Sequence, residues 1–182
     1  MFSIGYILVS NISLAEDYIF RRSVIIICDD ENNKNPMGFI LNKPLGINLN
    51  DIHPKINIKL RLYFGGPVAK DTLFCIHNSK LKLKSSKKVT ENLSYGFDID
   101  EIITKSKKGV LNEKNIMFFL GYSGWTKNQL LEEIRENYWK INKNYSKNIF
   151  ERSEENLWKR ITKKMGGDSH IWSNAPENLQ DN

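Results

Sequence analysis

A short run of β-branched residues sets the tightest constraint on how this chain can fold. Residues 23–28 read SVIIIC, a run that is continuous, apolar and shorter than an ordinary helix. Such a run is typical of a strand buried on both faces. The polar segment DDENNKNP follows at 29–36, and a second apolar run, MGFIL, occupies 37–41. Two apolar runs joined by turn-forming residues predict a β-hairpin.

Other apolar runs predict that strands dominate the first half of the chain and helices the second. Further strands are expected at 5–10, 60–64, 72–77 and 115–120. Lysine alternates with leucine at 80–84, a pattern typical of an edge strand whose lysines prevent sheet-to-sheet pairing. This order of elements favours an α+β fold with a mixed sheet over a doubly wound fold.

Capping residues predict where the helices begin. A short helix is expected at 49–52, and Asp98 is placed to cap a longer one that runs through Lys108. Thr126 and Gln129 have the spacing of a capping box, in which each side chain bonds the backbone N–H of the other residue. The helix after this box is expected to run from Lys127 to about Tyr138, with one face formed by Leu130, Leu131, Ile134 and Tyr138.

The C-terminal region is expected to hold one more helix. Ser153 is placed to open it, Leu157, Ile161 and Met165 fall on one face, and Gly166 ends it. The remaining residues, 167–182, are polar and are expected to lie along the surface.

Length and composition predict one domain spanning 1–182, with its core at 5–166. The longest apolar run, 24–28, is far shorter than the ~20 residues of a membrane-spanning helix, and the first residues lack a basic leader. Cys28 and Cys75 have no metal-type spacing and are expected to be buried free thiols in a reducing compartment. We therefore expect a cytoplasmic protein with no membrane contact and no cofactor.

The formal net charge of +6 raises the possibility of a nucleic-acid partner. The candidate contacts are Lys80, Lys82, Lys84, Lys87 and Lys88. Lysine, asparagine and isoleucine are abundant and arginine is scarce, however, which is typical of an AT-rich genome, and we give this explanation the greater weight. No helix-turn-helix, RNP or zinc pattern is present, so any binding is expected to be weak, independent of sequence and sensitive to salt.

Two glycine-containing motifs could bind an anion or could simply shape the backbone. Gly65-Gly66-Pro67 predicts a tight connection between strands, with an anion-binding nest as the less favoured alternative. The motif GYSGW at 121–125 lies between a predicted strand and a predicted helix, where a helix N-terminus could hold an anion. Ser123 lacks the glycine spacing of a hydrolase nucleophile, and Trp125 is expected to be a packing anchor whose indole N–H bonds locally.

Cys75 and His77 are two residues apart on a predicted strand, so both side chains should point to one face, ~6.6 Å apart. A metal site would need two more ligands, and no spacing recommends His53 or His170. We therefore expect a buried thiol beside a hydrogen-bonded histidine, and no metal.

Four motifs occur in order along the chain: FRRSV at 20–24, GFILNKP at 38–44, GGPV at 65–68 and GYSGW at 121–125. Together these motifs resemble the YqgE/AlgH family of bacterial proteins over most of residues 5–166. The resemblance implies a mixed sheet curled into a partial barrel with flanking helices. One branch of the family is named for an effect on alginate gene regulation, so the resemblance also suggests a transcriptional regulator. It implies no catalytic mechanism.

The polar members of these motifs are the candidate site residues. Arg22, Asn42, His77 and Gln129 each adjoin a glycine, a proline or a strand end. They could bond loop backbone that would otherwise be unsatisfied, which we favour. They could instead converge on a pocket where the backbone comes close to a ligand, together with Gly65, Gly66, Gly121, Gly124 and Trp125.

The sequence thus favours a non-enzymatic binding or regulatory protein, with a small anionic ligand or a protein as the possible partner. The alternatives are a non-specific nucleic-acid binder and an enzyme of unknown reaction. The enzyme is disfavoured because no set of nucleophile, base and orienting group can be assembled from the sequence.

Overall fold

A computed structural model of the chain describes residues 1–143, 149–150 and 156–173. Within these ranges the chain forms ten β-strands and five α-helices. The strands are β1 (Ile7–Ser10), β2 (Val24–Glu31), β3 (Asn35–Ile40), β4 (Pro44–Asn48), β5 (Arg61–Phe64), β6 (Val68–Asn78), β7 (Ser86–Lys88), β8 (Leu93–Gly96), β9 (Ile116–Gly124) and β10 (Trp139–Asn142). The helices are α1 (Leu49–Ile52), α2 (Ile99–Lys107), α3 (Lys127–Arg135), α4 (Leu157–Met165) and α5 (Asp168–Trp172).

The strands form one branched sheet in the order β10-β1-β2-β3-β9-β6-β8-β7. Strand β9 is the branch point, because it also pairs in parallel with β5, which in turn pairs with β4. The other pairs are antiparallel. The sheet curls into a half-barrel with helices around it, which confirms the predicted α+β class with a mixed, curled sheet.

The concave face of the half-barrel holds the largest group of buried apolar side chains, including Ile26, Phe39 and Phe119. Helix α4 closes one end of this core, where the Trp158 indole N–H donates to the Ser10 carbonyl at 2.8 Å. The convex face is covered by α2 and α3, through cores that contain Ile102 and Leu130 respectively.

The curl brings together strands that are far apart in the sheet. The Tyr95 hydroxyl on β8 and the Lys87 ammonium on β7 both donate to the carboxylate of Asp29 on β2. Asp29 and Tyr95 are 66 positions apart in sequence, and their strands are separated by three others in the sheet. These side chains, here called the Asp29 clasp (Asp29, Lys87 and Tyr95), therefore connect the two sides of the half-barrel at the end away from α4.

The hairpin predicted from the apolar runs is confirmed as β2 and β3, although both strands extend further into the polar segment than expected. The short helix at 49–52 is also confirmed. The capped helix after Asp98 is confirmed as α2, and the Asp98 side chain accepts from the Glu101 N–H at 3.0 Å.

The predicted edge strand at 80–84 is wrong. Residues Ser79–Leu81 form a 3₁₀ turn, which the Asn78 side chain caps by accepting from the Lys80 N–H at 2.9 Å. Lys82 then has a positive φ of 51°, which breaks any extended pattern. The edge strand is instead β7, a few residues later.

The helix predicted from Lys127 to about Tyr138 ends earlier, at Arg135. Asn137 adopts a positive φ of 61°, the left-handed conformation that commonly ends a helix, and β10 begins at Trp139. Leu131 and Tyr138 were expected on the buried face but are exposed.

The predicted helix start at Ser153 lies outside the described residues. The described helix begins at Leu157, and Leu157 and Ile161 are buried as predicted. The expectation of a surface tail from Gly167 is wrong for its first residues, because α5 follows and Trp172 packs into the concave core.

Candidate functional site

A cleft of about 510 Å³ opens at the end of the half-barrel away from α4. Its lining includes four aromatic side chains, here called the aromatic wall (Phe74, Tyr95, Tyr122 and Trp125). Phe74 and Tyr122 meet edge to face with ring centroids 5.8 Å apart, and Phe74 also contacts Phe39 in the core at 5.4 Å. Phe74, Tyr95 and Tyr122 are therefore the outermost layer of the concave core. Trp125 is held instead by the core beneath α3.

Charged groups line the same cleft at the Asp29 clasp. One carboxylate oxygen of Asp29 accepts from Lys87 at 2.8 Å and from the Tyr95 hydroxyl, and the other accepts from the Asp30 N–H at 2.8 Å. Burial by itself raises the pKa of Asp29, but the hydrogen bonds from Lys87 and Tyr95 outweigh it, so the pKa lies below its usual value.

The same contacts fix the protonation of the partners of Asp29. Burial, together with the hydrogen bond to Asp29, raises the pKa of Tyr95 well above its usual range. The hydrogen bond to Asp29 likewise raises the pKa of Lys87. At neutral pH the clasp therefore consists of a carboxylate, an ammonium and a neutral phenol.

The start of α3 forms one side of the cleft, and half of the predicted capping box is present there. The Thr126 hydroxyl accepts from the Gln129 N–H at 3.2 Å. The Gln129 side-chain amide does not complete the box but donates to Glu133 at 2.8 Å. The Lys127 N–H donates to the Lys34 carbonyl at 2.8 Å, so two N–H groups at this helix start already have partners. That arrangement weighs against an anion site here.

Glu133 connects α3 to two tryptophans. Its carboxylate accepts from the indole N–H groups of Trp125 at 2.9 Å and Trp139 at 2.7 Å, in addition to Gln129. The ring of Phe20 packs against both indoles, with centroids 6.3 Å from Trp125 and 5.6 Å from Trp139. Trp125 is therefore a packing anchor with a local indole bond, as predicted, and it lines the cleft as well.

Arg22 and Asn42 lie elsewhere, and their contacts are structural. The Asn42 side chain accepts from the Val24 N–H at 2.9 Å and donates to the Arg22 carbonyl at 2.7 Å. Arg22 has a positive φ of 50°, and its guanidinium lies 5.2 Å from the ring centroid of Trp158. Both residues therefore belong to the closed end of the half-barrel, beside α4.

Three of the candidate glycines, Gly65, Gly66 and Gly121, allow two backbone segments to come close together. A Cβ at Gly65 would lie 2.1 Å from the Gly121 carbonyl oxygen, and one at Gly66 would lie 2.3 Å from the carbonyl carbon of Tyr122. The Gly65 N–H donates to the Leu120 carbonyl at 2.8 Å, so it is unavailable to an anion. These contacts favour the tight connection over the nest. The GYSGW segment, expected to follow the strand predicted at 115–120, instead continues β9 as far as Gly124.

His77 and Cys75 point to the convex face, away from the aromatic wall. The Cys75 thiol donates to the Gly96 carbonyl at 2.8 Å and belongs to the core beneath α2. His77 Nδ1 lies 2.9 Å from the Asn78 carbonyl oxygen, and Nε2 lies 2.7 Å from the Ser86 hydroxyl. A carbonyl can only accept, so Nδ1 carries the proton and Nε2 accepts from Ser86.

We expect His77 to make the protein less stable as the pH falls. Burial lowers the pKa of His77, an effect that the Asn78 carbonyl and Glu101 only partly oppose. Below pH ~6.5 the unfolded chain therefore binds a proton that the folded chain resists. The free energy of unfolding should be undiminished above that pH and should decrease below it, by at most about 1.4 kcal/mol per pH unit.

Urea titrations of the wild type and His77→Gln between pH 5 and 8 measure this effect. The variant has no titrating imidazole, so its stability should change less over the acidic part of the range. Parallel pH profiles for the two proteins would contradict the assignment.

The five candidate nucleic-acid lysines are all exposed, but Lys87 belongs to the Asp29 clasp. Among the described residues, no three His, Cys, Asp or Glu side chains are grouped so that they could hold a metal ion. No helix in the described part of the chain has the length and apolar character needed to cross a membrane. Both cysteines are free and buried, as predicted.

The structure thus brings three of the nine candidate residues to the cleft: Gly124, Trp125 and Gln129. The remaining six lie at the closed end, where the chain after β5 comes close to β9, or on the convex face. Sequence reasoning missed Asp29 and Tyr95, and it named Lys87 only as a candidate nucleic-acid contact. The available signal was an aspartate directly after a buried apolar strand, which interrupts the pattern of a core element.

Comparisons with known proteins agree with the resemblance seen in the motifs. The AlgH-like family model (DUF179) matches residues 7–170. A UPF0301 protein of Cytophaga hutchinsonii is 35% identical over 178 residues, which cover 97% of each chain. A UPF0301 protein of Bacteroides thetaiotaomicron is 35% identical over 175 residues, or 95% of this chain and 88% of that one.

Two solved structures share the fold. Protein DIP2367 from Corynebacterium diphtheriae aligns with a TM-score of 0.77 at 18% identity, covering 96% of this chain and 93% of that one. The AlgH protein from Pseudomonas aeruginosa aligns with a TM-score of 0.72 at 23% identity, covering 94% and 93%. Given the family match across the folded core and the relatives at 35% identity, this chain belongs to the AlgH-like family.

Proposed function

We propose that this protein is a non-enzymatic binding protein whose cleft holds a small organic ligand. The observation that carries the proposal is the cleft of about 510 Å³ at the open end of the half-barrel. Small-molecule sites usually measure ~300–1,000 Å³, are lined by apolar and aromatic groups with a few polar ones, and often lie in the mouths of barrels. The aromatic wall and the Asp29 clasp correspond to these two kinds of lining.

The chemistry near the cleft favours binding over catalysis. The serine of the GYSGW motif, Ser123, is fully buried, and its hydroxyl donates to the Gly65 carbonyl at 3.1 Å. The contact between Ser86 and His77 resembles a nucleophile–base pair, but neither residue lines the cleft. A nucleophile must be within reach of its substrate, so these serines do not support a reaction in the cleft.

The proposal extends to the cellular compartment of the protein and to a regulatory role. Two free buried thiols agree with a reducing compartment such as the cytoplasm. A regulatory role, which the family resemblance suggests, would use the cleft as a sensing site. In that case ligand binding would change the affinity of the protein for its partner.

Filling the cleft should weaken ligand binding without unfolding the protein. Val68 lies at the cleft and is already partly exposed, so Val68→Trp would place an indole where a ligand would lie. We expect fragments found by NMR screening against the wild type to shift signals of cleft residues. In Val68→Trp their affinity should fall at least about tenfold, equivalent to ~1.4 kcal/mol.

Val110→Trp is the matched control, because Val110 is similarly exposed but lies outside the lining of the cleft. It should bind the fragments as the wild type does. If fragments shift no cleft signals in the wild type, or bind Val68→Trp equally well, the proposed function is wrong.

A further inference from the structure

The charge of the cleft is opposite in sign to that of the chain. Asp29, Glu31 and Lys87 are the charged members of its lining, so two carboxylates face one ammonium. The whole chain, by contrast, has a formal net charge of +6. Within the cleft the excess of carboxylate favours a cation over an anion, so its lining does not favour the small anion considered from the sequence.

Lys87 shows how the cleft accommodates an ammonium group. Its Nζ lies 2.8 Å from the Asp29 carboxylate, although 70% of the lysine side chain is exposed against 22% of the aspartate side chain. The carboxylate is thus fixed at the end of the half-barrel, while the lysine reaches it from solvent. An exposed ion pair of this kind contributes little to stability, so a ligand cation can replace the lysine at low cost.

The aromatic wall provides the second feature that a cationic ligand requires. Tyr95 belongs both to the wall and to the clasp, so aromatic surface and carboxylate are adjacent. Aromatic faces attract organic cations and bury their apolar stems. Carboxylates close to such faces supply charge-assisted hydrogen bonds to an ammonium or guanidinium group.

We propose that the ligand of this cleft is an organic cation, an ammonium or guanidinium group on an apolar stem, which takes the place of Lys87 at Asp29. The inference rests on the proposed function and names the chemical class of its ligand. Lys87 acts as an internal competitor that occupies the carboxylate when no ligand is bound. Glu31, at the rim, adds to the attraction.

Three probes that differ chiefly in charge test the proposal: benzylamine, benzyl alcohol and benzoate. Each is titrated into the full chain at pH 7.5, and NMR signals of the cleft residues report the affinity. Benzylamine, which is a cation at this pH, should bind at least about tenfold more tightly than benzoate, because a charge-assisted bond to a carboxylate contributes on that scale.

Variants of the clasp separate the role of each group. Lys87→Met removes the competitor and should tighten benzylamine binding about tenfold, whereas Asp29→Asn should weaken it about tenfold. Lys88→Met is the matched control, because Lys88 is an exposed neighbouring lysine outside the lining of the cleft. It should leave the affinity for benzylamine unchanged. If Asp29→Asn folds poorly, Glu31→Gln makes the cleft less negative without changing the clasp. It should weaken benzylamine binding by less than the change expected for Asp29→Asn.

The outcomes distinguish this inference from the proposed function. Tighter binding of benzoate, or benzylamine affinity that is unchanged or weakened in Lys87→Met, overturns the assignment of a cation. The cleft then remains a binding site for another class of ligand. If no probe shifts the cleft signals, the cation assignment is also overturned, and the Val68→Trp experiment decides the proposed function independently.

Discussion

Replacing Gly65 with alanine should prevent the half-barrel from assembling. The new Cβ would lie 2.1 Å from the carbonyl oxygen of Gly121 and 3.0 Å from its carbonyl carbon. Both atoms belong to the backbone of β9, which pairs with β3, β5 and β6. A rotamer change cannot relieve this overlap, so β9 would have to move away from three strands. We expect a loss of more than about 4 kcal/mol in the free energy of unfolding.

Soluble yield, circular dichroism and urea denaturation measure the effect. Gly46→Ala is the matched control, because a Cβ at Gly46 would meet no atom within 4 Å although its φ is +76°. Its loss should be only about 1–2 kcal/mol, the strain of a left-handed conformation in an alanine. Gly65 has no such φ, so its effect is purely steric. A Gly65→Ala variant as stable as Gly46→Ala would contradict this account of the GGPV motif.

Local patterns carried the part of the fold that could be predicted from sequence. The hairpin of β2 and β3 follows from two apolar runs joined by a polar turn, and α2 follows from a capping aspartate and an amphipathic stretch. Where a local pattern had two interpretations, the prediction failed. Residues 80–84 alternate like a strand, but the Asn78 side chain accepts a hydrogen bond from the backbone and starts a 3₁₀ turn. Such side-chain bonds compete with strand formation, and the spacing of apolar residues does not reveal them.

The candidate site was harder to predict, because the curl of the sheet creates it. Asp29, Lys87 and Tyr95 come from three strands and meet only when the two sides of the half-barrel close. No spacing in the sequence relates them. The motif residues, in contrast, are identifiable in sequence, but most of them hold the scaffold together. Asn42, for example, bonds the backbone of Val24 and Arg22.

Glu133 shows the same scaffold role, and its removal is the second large effect we expect. Glu133→Ala takes away the acceptor of two indole N–H groups, those of Trp125 and Trp139. Both tryptophans are buried, so each N–H would be left without its partner. Hydrogen bonds to charged groups contribute roughly 1.5–3 kcal/mol each, and an unpaired buried donor is unfavourable. We expect a loss of about 3 kcal/mol, measured by urea denaturation.

The neighbouring Glu132→Ala is a close control, since it makes the same substitution on the same helix. Glu132 is exposed and pairs with the equally exposed Arg135 at 3.0 Å, so the stability loss in Glu132→Ala should be below about 1 kcal/mol. A double-mutant cycle with Trp139→Phe tests the mechanism. If the indole bond to Glu133 causes the loss, Glu133→Ala should lower stability less in a Trp139→Phe background. The reason is that the Trp139 indole N–H, which would be left unpaired, is absent there. Strictly additive losses would show that Glu133 acts through something other than the tryptophan.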